Sequence, residues 1–241
     1  MAGPNKLEGT LWERLERPAQ PPRAALSPQQ IAATAMKIAD AEGIDAVTMR
    51  RLATELGVAP MAAYRYVNGK DDVIDLMIDL AYAEHEQPAG GDWREILRAL
   101  AVGTRDLIAR HPWLTQLSAS HTAFLLTPNR MAATDRALAA LELPGVDADT
   151  RMALFRAVNS YVLGSATAGV ALRQAMEGRG WDTGHEMRNG LAPEMTYLLG
   201  TGRYPAFQRY IREGRRKDAW EWQFELGLEC MLDGIAARVE F

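Results

Sequence analysis

The chain has 241 residues, enough for one large domain or two modest ones around a sizeable core. With 48% apolar and 24% charged residues, one cysteine and a formal net charge of −4, it reads as globular. An intramolecular disulfide framework and a globally basic surface are excluded. No run of about 18 apolar residues is present; the uncharged helical stretch Tyr161–Leu172 is interrupted by Gly, Ser and Thr. The N-terminus lacks the apolar core of a secretory signal. A cytoplasmic protein with no membrane contact is expected. There are 39 Ala against 10 Val and 9 Ile, a balance that favours helix over strand and predicts an all-α chain.

Charge is unevenly placed. Residues 1–70 carry nine Lys/Arg and seven Asp/Glu, whereas the remainder carries 18 and 24. Within 46–70, Arg50, Arg51, Arg65 and Lys70 face only Glu55. A local contact with a polyanion fits this pattern, as does a plain solvated face.

Residues 1–26 hold four prolines and little periodicity, which reads as a flexible arm. Ser27-Pro28-Gln29-Gln30 is a capping box with proline at the first helical position. It opens a helix with Ile31, Ala35, Ile38 and Ala39 on one face, closed by Gly43. Thr48 caps a second helix running to about Leu56, with Met49, Leu52, Ala53 and Leu56 at helical spacing and Arg50 and Arg51 outside that stripe. Gly57 suits the left-handed residue past a helix end. Pro60 opens a short helix through about Val67, Asn68-Gly69 turns, and Lys70 starts a helix to about 86 carrying Val73, Ile74, Met77, Ile78 and Ala81. Helices are expected further on at about 92–110, 113–119, 128–142, 147–178, 186–199, 205–213 and 217–238.

The two short helices 48–56 and 60–67, joined by Leu56–Ala59, have helix-turn-helix dimensions, in which the first helix braces the second in the major groove. The second offers Pro60, Met61, Ala62, Tyr64 and Arg65 outward. Thr48, Tyr64 and Tyr66 supply hydroxyls for phosphate oxygens, and Lys70 adds charge at a helix N-terminus. The competing reading is a three-helix core with surface tyrosines.

The stretch Ile31–Ala81 carries a resemblance. Gly43-Ile44-Asp45-Ala46-Val47-Thr48-Met49-Arg50-Arg51-Leu52-Ala53, Leu56-Gly57-Val58, Tyr64-Arg65-Tyr66-Val67 and Lys70-Asp71-Asp72-Val73 resemble the tetracycline-repressor-like (TetR/AcrR) transcription regulators. Arg110-His111-Pro112-Trp113 and Tyr161-Val162-Leu163-Gly164 look like the ligand-binding half of actinobacterial members. The resemblance implies an all-helical homodimer. In it, an N-terminal three-helix helix-turn-helix domain (27–70) precedes a C-terminal helical ligand-binding and dimerisation domain (71–241), after the arm 1–26. It implies further that Thr48, Tyr64 and Lys70 contact phosphate and that Arg50 reads a guanine. Two departures stand out: Ala59 replaces a capping Ser/Thr, and Arg65-Tyr66 replaces a His-Phe pair. The expected function is a ligand-responsive regulator, a repressor released from a palindromic operator by a small apolar or amphipathic effector. Expected DNA contacts are Thr48, Arg50, Arg51, Met61, Ala62, Tyr64, Arg65, Tyr66 and Lys70. If Arg51, Arg65 and Lys70 each neutralise one phosphate, a dimer's log affinity falls against log salt with a slope near about −5.

In the second half, Trp113, His121, Phe124, Met131, Phe155, Asn159 and Met176 mix apolar walls with polar groups as small-molecule sites do. Core packing is the alternative for each, and His111 reads as a loop or capping histidine. The small residues of 164–171 and the bulky Trp220, Trp222, Phe224, Leu226, Leu228 and Met231 predict a four-helix dimer interface; completion of the intrachain core is the alternative. No cofactor or metal is expected: the four histidines show no HExxH spacing, no cysteine pair exists, and neither GxSxG nor a nucleotide fingerprint occurs. A helical enzyme is therefore disfavoured, and a helical protein-interaction module leaves Thr48–Lys70 without a role. Arg14, Arg17 and Arg23 of the arm are candidates for a minor-groove contact.

Overall fold

The computed structural model describes residues 7–16, 26–84, 88, 90–117 and 126–239. Among these, the elements are α1 (Leu11–Glu16), α2 (Pro28–Glu42), a 3-10 turn (Ile44–Ala46), α3 (Met49–Glu55), α4 (Pro60–Ala63), α5 (Lys70–Ala83), α6 (Trp93–Arg110), a second 3-10 turn (Pro112–Gln116), α7 (Pro128–Ala140), α8 (Ala148–Glu177), α9 (Gly184–Gly190), α10 (Ala192–Gly200), α11 (Pro205–Glu213) and α12 (Trp220–Val239). No strand occurs among the described residues. Two compact units emerge, Met1–Asn159 and Ser160–Phe241, with the boundary inside α8.

In the first unit, α2 packs on α5 and α3, and α3 on α4; α5 and α6 both pack on α7. Ile31, Leu52, Val67, Val73, Met77, Leu107 and Trp113 share one buried cluster. The caps explain where these helices begin. Ser27 accepts from the Gln30 N–H and Gln30 returns the bond, the expected box. Asp92 and Glu95 do the same for α6. Thr48 caps α3 by accepting from the Arg51 N–H at 3.1 Å.

Three expectations change. Part of the Pro-rich segment is helical: Thr10 and Glu13 form a reciprocal capping pair, Glu13 accepting from the Thr10 N–H at 2.7 Å and Thr10 Oγ1 from the Glu13 N–H at 3.3 Å. Leu11 is buried, with Trp12 and Leu15 against the same cluster. The Leu7 N–H donates to Asn68 Oδ1 at 2.7 Å, and Arg14 pairs with Asp72. Residues 7–16 are thus held on the bundle rather than free. The helix expected over 186–199 is two helices meeting at Leu191, because Pro193 supplies no N–H and seats best in a first turn. The helix expected over 60–67 is only Pro60–Ala63, and Tyr64–Tyr66 follow as a turn.

In the second unit, Tyr161 of α8 stacks on Phe224 of α12, with ring centroids 5.7 Å apart, and its hydroxyl donates to the Phe224 carbonyl at 2.8 Å. A Cβ at Gly227 would overlap that same hydroxyl, so glycine is what allows the close approach. Burial pushes the Tyr161 phenol above the ordinary tyrosine range. Helices α9, α10 and α11 bury no residue completely. No described helix is long and apolar enough to cross a membrane.

Candidate nucleic-acid interface

The α3–α4 unit is built from its turn outward. Gly57, at φ +66°, occupies the left-handed position past α3. Its N–H reaches the Thr54 carbonyl at 3.1 Å, and the Val58 N–H reaches Ala53 at 3.0 Å, a Schellman closure. Leu52, Ala53, Ala63 and Val67 are buried, which anchors the inner side of both helices and leaves the remaining positions to solvent.

Thr48 is exposed, and because its oxygen already accepts the capping bond, its hydroxyl hydrogen is free to donate outward. Arg50 and Arg65 are exposed. Met61, in α4, is a large apolar side chain left 60% exposed. Ala62 and Tyr64 are half-buried. Lys70, the first residue of α5, donates from Nζ to the Ile44 carbonyl at 3.1 Å, which ties α5 to the 3-10 turn before α3 and leaves two ammonium protons for other acceptors.

Two of the expected contacts sit differently. Arg51 is held between Glu42, at 2.9 Å, and Glu55, at 3.7 Å, so its charge is more than balanced locally. Tyr66 packs against the buried cluster. Arg14, a candidate minor-groove residue, is committed to Asp72 and to the Gly9 carbonyl; Arg17 and Arg23 lie outside the described residues. Ala59 has an extended backbone at the α4 N-cap but no side-chain bond.

Of the residues expected to line an effector pocket, His121 and Phe124 lie outside the described residues. Trp113 is 1% exposed, and its indole N–H donates to Asp40 Oδ1 of α2 at 2.9 Å. Met131, Phe155 and Asn159 are partly or largely accessible in the first unit, and Met176 is half-buried in the second.

The sequence reading missed the knot around Trp113. His111 Nδ1 lies 2.8 Å from the same Asp40 oxygen, and Nε2 lies 3.1 Å from Glu84 Oε2 at the end of α5. Arg110 pairs with Glu84 as well. His111 is therefore a bridging residue between α2, α5 and α6, and no local spacing announces it. Also unforeseen is a clamp from α5 to α7: Asn129 donates from its backbone to Asp79 Oδ1 at 2.8 Å and from its side chain to Oδ2 at 2.9 Å. Nearby, Arg130 lies over the Tyr82 ring, 5.9 Å from its centroid. Burial raises the Tyr82 phenol pKa, and the Arg130 charge opposes the rise. No group of three or more His, Cys, Asp or Glu is placed to hold a metal among the described residues.

A short helix pair with a Schellman turn, presenting cations and a hydroxyl cap ahead of a larger helical domain, defines a helix-turn-helix DNA-binding architecture. Comparison with known proteins agrees. Residues 31–77 match the bacterial regulatory proteins of the tetR family, and residues 86–239 match the tetracyclin repressor-like C-terminal domain. The chain is 33% identical over 232 residues to the HTH-type transcriptional repressor DrrR1 of Streptomyces coeruleorubidus, covering 95% of this chain and 84% of that one. It is 29% identical over 234 residues to an HTH-type transcriptional regulator of Saccharopolyspora erythraea, covering 95% and 92%. Among solved structures, the TetR family protein ActR of Streptomyces coelicolor in complex with actinorhodin superposes with a TM-score of 0.70 at 26% identity, covering 90% of this chain and 98% of that one. The chain belongs to the tetracycline-repressor-like family of transcriptional regulators.

Proposed function

We propose that the chain is a homodimeric repressor that binds a palindromic operator through α3 and α4 and leaves it when a small apolar or amphipathic effector binds the C-terminal domain. The observation that carries this reading is the α3–α4 unit, with Thr48, Arg50, Met61 and Arg65 accessible on a buried Leu52–Ala53–Ala63–Val67 base. Thr48, Tyr64, Arg65 and Lys70 take phosphates, and Arg50, Met61 and Ala62 face base edges. Arg51 serves to brace α3 against α2 through Glu42. Dimer formation uses α8 and α12. In its support, Gly164 and Gly169 face open space and Trp220 and Leu226 are exposed, while Phe224, Leu228, Leu232 and Ile235 are buried. This division assigns Trp220 and Leu226 of α12 to a second copy and the inner residues to the core.

Coupling runs through α5. It starts at Lys70 beside α3, is clamped to α7 through Asp79–Asn129, and ends at Glu84 against His111 and Arg110. An effector that favours one placement of α5 and α6 lowers operator affinity by the same factor by which operator lowers effector affinity. The relatives named above are regulators, which agrees with a non-enzymatic role, and ActR with its bound actinorhodin supports a ligand-binding second half. A gel-shift titration of the purified chain against the DNA upstream of its own gene tests the proposal. A discrete complex that survives excess scrambled duplex is expected; equal binding to both duplexes would overturn it.

A further inference from the structure

The most basic stretch of the chain lies outside the head. Residues 203–217 hold six Lys/Arg against a single carboxylate, Glu213, in a protein of net charge −4. The same stretch exposes Tyr204, Phe207 and Tyr210, the last two with ring centroids 5.8 Å apart. Trp222 follows in α12, and the Arg216 guanidinium lies over its ring, 4.8 Å from the centroid.

These groups enclose a space. Tyr210, Glu213, Arg215, Arg216, Trp222 and Gln223 line an open cavity of ≈ 540 Å³, all within the second unit. That volume falls in the range of small-molecule sites, roughly 300–1,000 Å³. The walls are fixed in place. Gln223 donates from its side chain to the carbonyls of Arg216 and Lys217 at 3.4 and 3.3 Å, and Lys217 donates to the Ile211 carbonyl. Asp218 is paired with Arg188 of α9. Gly214 has no room for a side chain, since a Cβ there would meet the Tyr210 carbonyl oxygen at 2.7 Å. The loop that presents both arginines is thus set before any ligand arrives, which lowers the ordering cost of binding.

The charge inside is positive. Arg212 donates to Glu213 at 3.3 Å, and no carboxylate is paired with Arg215 or Arg216 among the described residues. Planar guanidinium groups hold carboxylates through paired bonds, and an indole carrying a cation on one face offers a flat wall to a ring system. We propose that this cavity binds a flat aromatic anion, a carboxylate or phenolate carried on fused rings. Arg215 and Arg216 take the anionic group, and Tyr210 and Trp222 hold the rings. The site shares no residue with the seven positions assigned to the effector from sequence and does not depend on operator binding.

Calorimetry of the full chain with 2-naphthoate, and with its neutral isostere 2-naphthamide, tests the proposal. The naphthoate is expected to bind saturably, one per protomer, and the amide about tenfold or more weaker. The double variant Arg215→Gln/Arg216→Gln is expected to lose naphthoate affinity to the same extent while its circular dichroism and operator gel shift stay as in the parent. Trp222→Phe, which keeps an aromatic wall, is expected to retain binding but lose much of the ligand-induced tryptophan quenching. Equal affinity for the amide, no naphthoate binding at millimolar concentration, or unchanged naphthoate affinity in the double variant would each overturn the proposal. A double variant that keeps naphthoate binding but loses duplex affinity or self-association would instead assign the cations to a macromolecular contact and overturn it as well.

Discussion

Arg51 and Lys70 are both cations of the DNA-binding head, yet their surroundings assign them different parts. Arg51 has Glu42 and Glu55 within 4 Å, so the trio carries net negative charge and contributes no counterion release. Among the described residues Lys70 bonds only a neutral carbonyl, that of Ile44, which leaves its charge for a phosphate. Counting Arg65 and Lys70, a dimer neutralises four phosphates, and log affinity against log salt has a slope of about −3.6 instead of the steeper value expected from sequence. Operator affinity then falls about 150-fold between about 50 and 200 mM salt. Lys70→Met keeps the aliphatic stem and removes two charges per dimer, so the slope drops to about −1.8 and the same salt step costs about 12-fold. Arg51→Met leaves the slope where it was. Fluorescence anisotropy with a labelled operator across that salt range measures all three slopes. Should Arg51→Met flatten the slope as much as Lys70→Met does, the arginine leaves its carboxylates on binding, and the division of roles drawn from the free protein is wrong.

Further outcomes are expected elsewhere. Ala59→Ser supplies the missing cap of α4 on a backbone already extended and raises stability by about 1 kcal/mol in a urea melt. Gly227→Ala puts a methyl group against the Tyr161 hydroxyl and destabilises by about 1–3 kcal/mol despite the better helix propensity; adding Tyr161→Phe restores part of the loss if that overlap is the cause. Trp113→Phe removes the indole N–H that donates to Asp40 Oδ1, an oxygen that keeps its His111 contact, and costs about 1 kcal/mol by thermal denaturation. The Glu186 carboxyl is held below the ordinary glutamate range by the backbone N–H groups of Asp182 and Thr183 and by the Thr183 hydroxyl. Its contribution is therefore present above the unfolded glutamate pKa and is lost as pH falls through the lower folded value. A pH series of amide resonances at the start of α9 reads that change, and Glu186→Gln removes it.

What was legible in the sequence was what is decided within one turn of chain. The Ser27–Gln30 box, the Thr48 cap and the left-handed Gly57 depend on bonds spanning three to five residues, and each occurs where the pattern predicts. The Thr10–Glu13 cap is equally local and is written in the Thr-x-x-Glu spacing. The rest was settled across distance. Glu42 meets Arg51 because Gly43 and the 3-10 turn fold α2 back on α3. Trp113 is buried and bonded to Asp40, 73 residues away, a pairing that no local spacing announces. The clamp of Asp79 on Asn129 and the Arg216–Trp222 pair likewise join side chains whose spacing carries no signal until helices are packed.

The tie formed by Asp40, Glu84, Arg110, His111 and Trp113 has a mechanical consequence. It fastens the far end of α2 and the tail of α5 to the end of α6 at three points. A rotation of α6 is therefore expected to carry α2 and α5 with it, and the reading elements at Met61 and Arg65 along with them. Loosening the fastening, for instance with His111→Ala, would leave the chain able to fold and to bind DNA but slack in transmission.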